Sequence, residues 1–378
     1  MITKIADNII SPLGTSTDEN FRAICNGNSM LRGHSGAFGL PEDFCGSLFN
    51  RNELESRINT EIANSETFTF FEKLCIFSAK KAIEDCRLSA CEADVLFILS
   101  TTKGNVEYLA ESATDERCFL AGSAKKIAEY FKNTNPPLVV SNACISGVCA
   151  QIAAVRALLS GRYRHAIVIG CDVLSKFIVS GFQSFKALSP EPCKPYDKER
   201  IGLNLGEAAG TIILSATADN EKAQWQYIAG AIHNDANHIS GPSRTGEGAF
   251  RVILDILKEI STDEIAFINT HGTSTAYNDE MESIALHRAQ LDDVPVTGLK
   301  GNYGHTLGAA GIIETILSMK AVDNKLVLPT KGFENSGTSY PVNVSAETRT
   351  TDKTAFIKIL SGFGGSNAGI AYRKGGLQ

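Results

Sequence analysis

The sequence predicts an α/β fold in which helices cover both faces of a mostly parallel sheet. Short apolar segments of strand character alternate with longer segments of helical periodicity along most of the 378 residues. This alternation reaches a midpoint near residue 215 and then begins again, which indicates an internal duplication. We therefore expect two similar halves, residues 1–215 and residues 216–378.

The first half contains elements whose limits follow from periodicity, capping residues and turn residues. Residues 28–64 and 181–200 show little periodicity, so we expect mainly loops there, with a short helix in the former segment. We expect strands within 1–14 and at 94–100, 138–140 (buried), 165–170 and 211–215, and helices at 17–27, 67–88, 121–132 and 145–160, with a further helix opening after the turn at 101–104.

The second half repeats the alternation and closes with two strands. Ligands of α/β sheets bind beyond the carboxyl ends of strands. Three chemically active residues follow predicted strands, Cys144 in the first half and His271 and His305 in the second. We expect strands at 226–233, 264–271, 294–300, 354–362 and 368–373, and helices at 246–260, 277–290 and 307–322.

The composition excludes several classes of protein. Hydrophobic residues make up 43% and charged residues 21% of the chain, as in ordinary α/β proteins with a large core. No segment approaches the ~20 apolar residues of a membrane span, and the first residues lack a signal-peptide pattern. The ten cysteines show no Cys-x-x-Cys spacing, so we expect reduced thiols in a cytoplasmic protein. The net charge of −6 argues against non-specific binding of nucleic acid.

Cys144 lies in the segment PLVVSNACISG, between a short apolar strand and a helix rich in Ala, Ile and Leu. Unpaired N–H groups and the helix dipole favour a thiolate at such a position, so we expect a lowered pKa for Cys144. The same N–H groups could hold a developing oxyanion. Most cysteines are buried small apolar residues, however, and the local pattern leaves both interpretations of Cys144 open.

Two histidines occupy glycine-rich loops in the second half. His271 opens a Gly-Thr-Ser-Thr loop, and Lys300 precedes the Gly-Asn-Tyr-Gly segment that leads to His305. The small residues after His305 would let the following helix pack closely against a neighbour. Glu314 lies further along that helix and could reach back only through a partner group such as Lys300. A single histidine is more often structural, but two of them with a helix-capping cysteine favour acyl transfer through a thioester.

Seven segments of the chain together resemble the β-ketoacyl-ACP synthases of the thiolase superfamily, in the elongating type with a Cys-His-His triad. Initiating synthases, with Cys-His-Asn, and thiolases, with a second catalytic cysteine, fit worse because His305 precedes TLGAAG. The resemblance implies a thiolase-like, five-layered αβαβα fold and a dimer. The segments run in the family's order: SPLG, SNACISG, GFQSFKALS, CKPYDKERIGLNLGEAAG, NTHGTSTAYNDEMES, GLKGNYGHTLGAAGIIE and SGFGGSNAG.

The resemblance implies a decarboxylative Claisen condensation that joins an enzyme-bound acyl group to malonyl-ACP. Cys144 would be the nucleophile, and its own backbone N–H with that of Phe363 would form the oxyanion hole. His271 and His305 would hold the thioester oxygen of the extender while it loses carbon dioxide. Lys300 and Glu314 would form the polar network that fixes His305.

The same resemblance implies several substrate contacts. The ring of Phe363 would gate the acyl pocket, which Phe182 would line. Thr273 and Thr275 would hydrogen-bond the phosphopantetheine arm, which arrives on the acyl carrier protein, so we expect no metal and no cofactor of the chain's own. Lys186 would face the acidic carrier protein, although a solvated surface lysine fits equally well.

The chain also departs from the family pattern. Residues 28–64 and 102–137, which in the family help to form the docking face, the dimer interface and the acyl pocket, are shortened. Ser361 replaces the usual phenylalanine two residues before the gate. The acyl-chain preference is therefore left open, and polyene or polyketide-like lipid synthesis is considered beside fatty-acid synthesis. Glu207 and Asp279 are expected to anchor loops near the site.

Two assemblies and two other functions are considered. The chain could form a homodimer, or a heterodimer with a catalytically silent sister chain, as some relatives of polyene and polyketide type do. A non-catalytic subunit that shapes the acyl tunnel of another synthase would have lost the nucleophile, which this chain retains. A plain acyltransferase would not need two histidines aimed at a decarboxylating thioester.

Overall fold

A computed structural model describes residues 1–112, 114–217, 225–235 and 237–375. The strands within these residues are β1 (Thr3–Ile10), β2 (Arg32–His34), β3 (Phe44–Ser47), β4 (Val95–Ser100), β5 (Leu138–Val140), β6 (His165–Asp172), β7 (Leu205–Gly206), β8 (Ala208–Ser215), β9 (Trp225–Asn234), β10 (Ile265–Asn269), β11 (Val296–Thr297), β12 (Leu326–Val327), β13 (Arg349–Thr350), β14 (Ala355–Gly362) and β15 (Ser366–Lys374). The α-helices are α1 (Thr17–Cys25), α2 (Arg51–Glu61), α3 (Phe70–Cys86), α4 (Leu120–Tyr130), α5 (Ser146–Leu159), α6 (Lys176–Ser184), α7 (Glu247–Leu257), α8 (Ala276–Arg288), α9 (Lys300–Tyr303) and α10 (Ala310–Asp323).

The main sheet repeats one strand order in two groups of five strands. From its edges inward the first group runs β5-β4-β6-β8-β1 and the second runs β11-β10-β14-β15-β9. Numbered by chain order within each group, both read 3-2-4-5-1, and a short antiparallel pairing of β1 with β9 joins them. The repeated order is the architecture that an internal duplication would produce. The predicted boundary between residues 215 and 216 falls between β8 and β9 and stays a prediction.

The sheet is mixed, so the expectation of a mostly parallel sheet is wrong. β4 pairs in parallel with β5 and β6, and β10 pairs in parallel with β11 and β14. The pairings that involve β1, β8, β9 and β15 are antiparallel. A parallel crossover needs about a dozen residues, whereas only Phe363, Gly364 and Gly365 connect β14 to β15.

Helices α5 and α10 lie between the two strand groups and contact strands of both. Helix α3, with α4 beside it, covers the other face of the first group, and α7, with α8 beside it, covers that of the second, which gives the five layers. A Cβ placed on Gly147 of α5 would lie 2.9 Å from the Cα of Gly311 in α10. The small residues after His305 therefore do permit a close helix contact, as expected.

Other differences from the predicted elements concern edges and loops. β5 is an edge strand whose Leu138 is 43% exposed, although a buried strand was expected. Residues 28–64 contain β2, β3 and the eleven-residue α2, and α6 extends into the segment expected to be loop. The helix expected after residues 101–104 is a short 3₁₀ turn, Val106–Ala110. Among the described residues, no helix is both long and apolar enough to span a bilayer.

Candidate active site

Cys144 lies in a sharp turn between β5 and α5. Ala143 has φ 45°, a left-handed conformation that is strained for a residue with a Cβ. Ser146 braces this turn, since its hydroxyl accepts the Asn142 N–H at 2.8 Å and donates to the Ala143 carbonyl at 2.6 Å. The backbone N–H of Phe363 donates to Cys144. The turn thus presents a buried thiol next to a backbone donor.

Burial raises the pKa of Cys144 to about 11. The charges of Lys300 and Lys103 and the N–H of Phe363 act in the opposite direction, but they do not offset the loss of hydration. The expectation of a lowered pKa is therefore wrong. That expectation considered only the helix end, whereas the depth of the sulfur in the protein is set by the tertiary fold.

Cys144, His271 and His305 converge on one point. The sulfur and one nitrogen from each ring lie within 4.8 Å of one another, and the ring centroids are 5.0 Å apart. The N–H of Leu307 donates to Nδ1 of His305 at 3.3 Å, so the neutral ring carries its proton on Nε2. This Nε2 has no hydrogen-bond partner among the described residues, which leaves its N–H available to a substrate.

Both histidines are neutral at physiological pH. Burial lowers the pKa of His271 and of His305 well below its ordinary value, and the charge of Lys300 acts in the same direction. Within the described part of the chain, these two rings and Cys144 are the one group of three or more His, Cys, Asp or Glu side chains close enough to share a metal ion. A thiol beside two neutral imidazoles is equally suited to acyl transfer through a thioester.

The loop that carries His271 is held by two buried carboxylates. Glu282 accepts the N–H groups of His271 and of the following glycine at 2.6 and 2.8 Å. Asp279 accepts the N–H groups of Thr273 and Ser274 at 3.0 and 3.1 Å, so it anchors a loop as expected. Glu282 was not predicted. The sequence pattern that could have indicated Glu282 is its position three residues after Asp279, which places both carboxylates on the same face of a helix.

A chain of buried charges lies behind the histidines. The Nζ of Lys300 donates to the carbonyl oxygen of His271 at 2.5 Å and to Oε1 of Glu314 at 3.0 Å. Lys300 therefore lies between Glu314 and a histidine loop, as expected. The hydrogen bond of Lys300 goes to His271, however, so the expectation that the pair contacts His305 is wrong. Lys358 pairs with the other oxygen of Glu314. Lys358 was also missed, and its signal is a single lysine within the apolar strand AFIKILSG.

His305 is fixed through its backbone. Its N–H donates to the Asn204 carbonyl at 2.7 Å, and its carbonyl accepts the Gly206 N–H at 3.0 Å, beside β7. Glu207 follows directly and accepts the N–H of Leu174 at 2.8 Å, so this carboxylate anchors a loop as expected. A segment from the first half of the chain thereby holds the second histidine in place.

Two family models cover most of the chain. The β-ketoacyl synthase N-terminal domain matches residues 6–220, and the β-ketoacyl synthase C-terminal domain matches residues 226–334. The chain belongs to the β-ketoacyl synthase family. The predicted resemblance is confirmed, and the Cys144–His271–His305 cluster fits the Cys-His-His type of this family.

Relatives of this synthase include two proteins named 3-oxoacyl-[acyl-carrier-protein] synthase 2. The protein from Synechocystis is 27% identical over 97% of this chain and 96% of its own length. The protein from Rhizobium meliloti is 31% identical over 67% of this chain and 64% of its own. A ketosynthase from Xenorhabdus doucetiae, solved in complex with its chain length factor, shares the fold with a TM-score of 0.86 at 24% identity, over 99% of this chain and 98% of its own.

The synthase has a cavity of ≈ 470 Å³ whose lining includes Cys144, His271 and His305. The rings of Phe182 and Phe363 stack there with centroids 5.8 Å apart, and Phe185 meets Phe363 at 5.3 Å. The remaining predicted contact residues also line this cavity. They are Thr273 and Thr275, whose hydroxyl oxygens are 2.9 Å apart, and Lys186, which is exposed at the rim. The structure thus brings the predicted site residues together, while the role of each stays a prediction.

Proposed function

We propose that this synthase catalyses the decarboxylative Claisen condensation of an acyl group, held as a thioester on Cys144, with malonyl carried by an acyl carrier protein. The observation that carries the proposal is the convergence of a buried thiol with two neutral histidines, one of which presents a free Nε2–H. The protein is accordingly an acyltransferase that forms a carbon–carbon bond. The names of the relatives support the same reaction.

In the first step, Cys144 takes the acyl group from its carrier. The sulfur adds to the thioester carbonyl, the bond to the carrier sulfur breaks, and the carrier thiolate takes up the proton that Cys144 gives up. The N–H of Phe363 already reaches Cys144, so it would hold the oxyanion together with the N–H of Cys144 itself. The aromatic rings of Phe182 and Phe363 would receive the acyl chain.

In the second step, the malonyl thioester loses carbon dioxide and becomes an enolate. The oxygen of this enolate would accept hydrogen bonds from His271 and His305, and its carbon attacks the acyl carbonyl on Cys144. The new C–C bond forms as the C–S bond to Cys144 breaks, and the sulfur regains a proton from water. One acyl thioester, one malonyl thioester and one proton give a 3-oxoacyl thioester, a free carrier thiol and carbon dioxide.

We also propose a carrier protein and a second chain as partners, in the cytoplasm. Lys186 and Phe185 are exposed at the cavity rim, where a carrier must dock to deliver its arm. Leu138 on the edge strand β5 is 43% exposed, and Leu109 and Phe119, in the segment between β4 and β5, are 42% and 62% exposed, which favours a homodimer or heterodimer that covers these apolar residues. A tunnel-shaping subunit would not need the nucleophile and histidines that converge here.

Intact-protein mass spectrometry tests the proposal. The protein is incubated with acyl-carrier proteins of several chain lengths and then with malonyl-carrier protein, with Cys144→Ala as control. We expect an acyl adduct on Cys144 that disappears as a 3-oxoacyl-carrier protein two carbons longer appears. Adducts that form but never condense, even after addition of a co-encoded sister chain, would contradict the proposal. Condensation only after that addition would establish the heterodimer.

A further inference from the structure

Lys358 is an unusual residue for its place in the fold. It lies in the middle of β14, among apolar neighbours, and its side chain is 0% exposed. Removing an ammonium group from water costs several kcal/mol unless strong partners replace the hydration. A charge in this position therefore requires a set of oxygens arranged to receive it.

The surroundings of Lys358 supply three such oxygens, of which two accept hydrogen bonds from the ammonium group and the third pairs with its charge. Its Nζ donates to Oδ1 of Asn269 at 2.9 Å and to the carbonyl of Thr270 at 2.8 Å, and it forms an ion pair with Oε2 of Glu314. Asn269 is its direct neighbour in the β10–β14 pairing. These three oxygens form a cage that takes the place of water around the buried ammonium group.

Two of these oxygens connect Lys358 to the backbone of His271. The carbonyl of Thr270 is the peptide carbonyl immediately before His271. Glu314 leads, through Lys300, to the carbonyl of His271 itself. Lys358 therefore contacts the carbonyl group before His271 directly. It reaches the carbonyl group of His271 itself through the side chains of Glu314 and Lys300.

We infer that Lys358 is a positioning residue of this active site, whose caged ammonium fixes the backbone around His271 and the Lys300–Glu314 pair. The inference rests on the proposed condensation and extends it. None of the groups in the cage is part of the oxyanion hole at Cys144 and Phe363. Removal of the ammonium should therefore impair the step that uses the histidines more than the step that loads the acyl group.

The charges around the cage indicate a second effect of Lys358. Glu314 is one carboxylate between two ammonium groups, Lys300 and Lys358, so this cluster leaves an excess of positive charge behind the histidines. Burial lowers the pKa of Lys358 to about 8, and Glu314 and the more distant Glu282 oppose this shift. The positive charge also contributes to the lowered pKa of both histidines, and it would favour an enolate in front of them.

Two variants test the inference. Lys358→Gln keeps hydrogen-bond donors but loses the charge, and Lys358→Ala opens the cage to a small cation. Lys325→Met, an exposed lysine paired with Asp352, is the matched control. For each protein, acyl loading of Cys144 and condensation with malonyl-carrier protein are measured separately. Lys358→Ala is also measured in ammonium chloride and, at equal ionic strength, in tetramethylammonium chloride.

We expect both Lys358 variants to load the acyl group at nearly the wild-type rate and to condense about tenfold to a hundredfold more slowly. Ammonium, which matches the lost group in size, should restore condensation by Lys358→Ala several-fold, whereas tetramethylammonium should not. Lys325→Met should behave as wild type in both steps. Failure of wild-type protein to condense would contradict the proposed function and would not concern Lys358.

Three results would overturn the inference while the proposed function stands. Condensation by Lys358→Gln and Lys358→Ala could be unchanged. Loading and condensation could fall equally, with no recovery in ammonium. Both variants could fail to fold with or without ammonium, as judged by circular dichroism, which would make Lys358 a structural residue alone.

Discussion

At the scale of single residues, the reactivity of Cys144 is set by two opposing effects. The helix end, the Phe363 N–H and nearby lysines favour the thiolate, but burial favours the thiol more strongly and raises the pKa to about 11. The thiol is therefore the resting form, and the proton must leave as the sulfur attacks. A protein whose nucleophile rests as a thiol is protected from solvent electrophiles until a substrate arrives.

We predict that alkylation of Cys144 by iodoacetamide accelerates about tenfold per pH unit from pH 7 upward, because only the thiolate reacts. Peptide mass spectrometry would report Cys144 separately from the exposed Cys25 and Cys91, which serve as internal controls. The pKa of Cys25 is also raised by burial, so the alkylation rate of this reference should rise with pH as well. A rate for Cys144 that is already constant at pH 7 would contradict this account.

We predict that Lys186→Glu lowers kcat/KM for acyl-carrier protein about fivefold, since reversal of one rim charge costs on the order of 1 kcal/mol. The effect should appear in KM, shrink at high salt and be absent with an acyl-pantetheine substrate that has no carrier. Lys353→Glu, an exposed lysine at the end of a different loop, is the control. Equal losses in both variants would show that Lys186 has no docking role.

At the scale of elements, the site depends on the contact between α5 and α10. Each helix begins just after a triad residue, Cys144 before α5 and His305 before the turn into α10. A Cβ on Gly311 would lie 2.5 Å from the backbone nitrogen of Val148. The absence of a side chain at Gly311 therefore sets the distance between the nucleophile and the histidine.

We predict that Gly311→Ala destabilises the protein by about 1–3 kcal/mol, because the helices would have to separate. The free energy of unfolding from a urea titration measures this loss. Gly181→Ala is the matched control, since a Cβ there meets no atom within 4 Å and α6 would gain a better helix former. A Gly311→Ala protein as stable as wild type would show that the helix contact tolerates expansion.

At the scale of the whole molecule, the sequence predicts what local patterns encode. Strand–turn–helix patterns located Cys144, His271 and His305, and the order of seven segments identified the family. The strained Ala143, the edge position of β5 and the antiparallel strands depend on how distant segments pair, which periodicity does not record. The cage around Lys358 joins β14, β10 and α10, so a single lysine in an apolar strand was the only local trace of it.

The central claim, that the histidines serve decarboxylation and not loading, is tested most directly by a single turnover. Protein carrying an acyl group on Cys144 is mixed with malonyl-carrier protein, and the adduct and products are followed together by mass spectrometry. In wild type, the adduct should decay as the longer 3-oxoacyl product rises. In His305→Ala, the adduct should persist and its decay should slow by on the order of 10²–10³-fold. Equal decay in both proteins, or release of the acyl group to water or free carrier without a longer product, would contradict the claim.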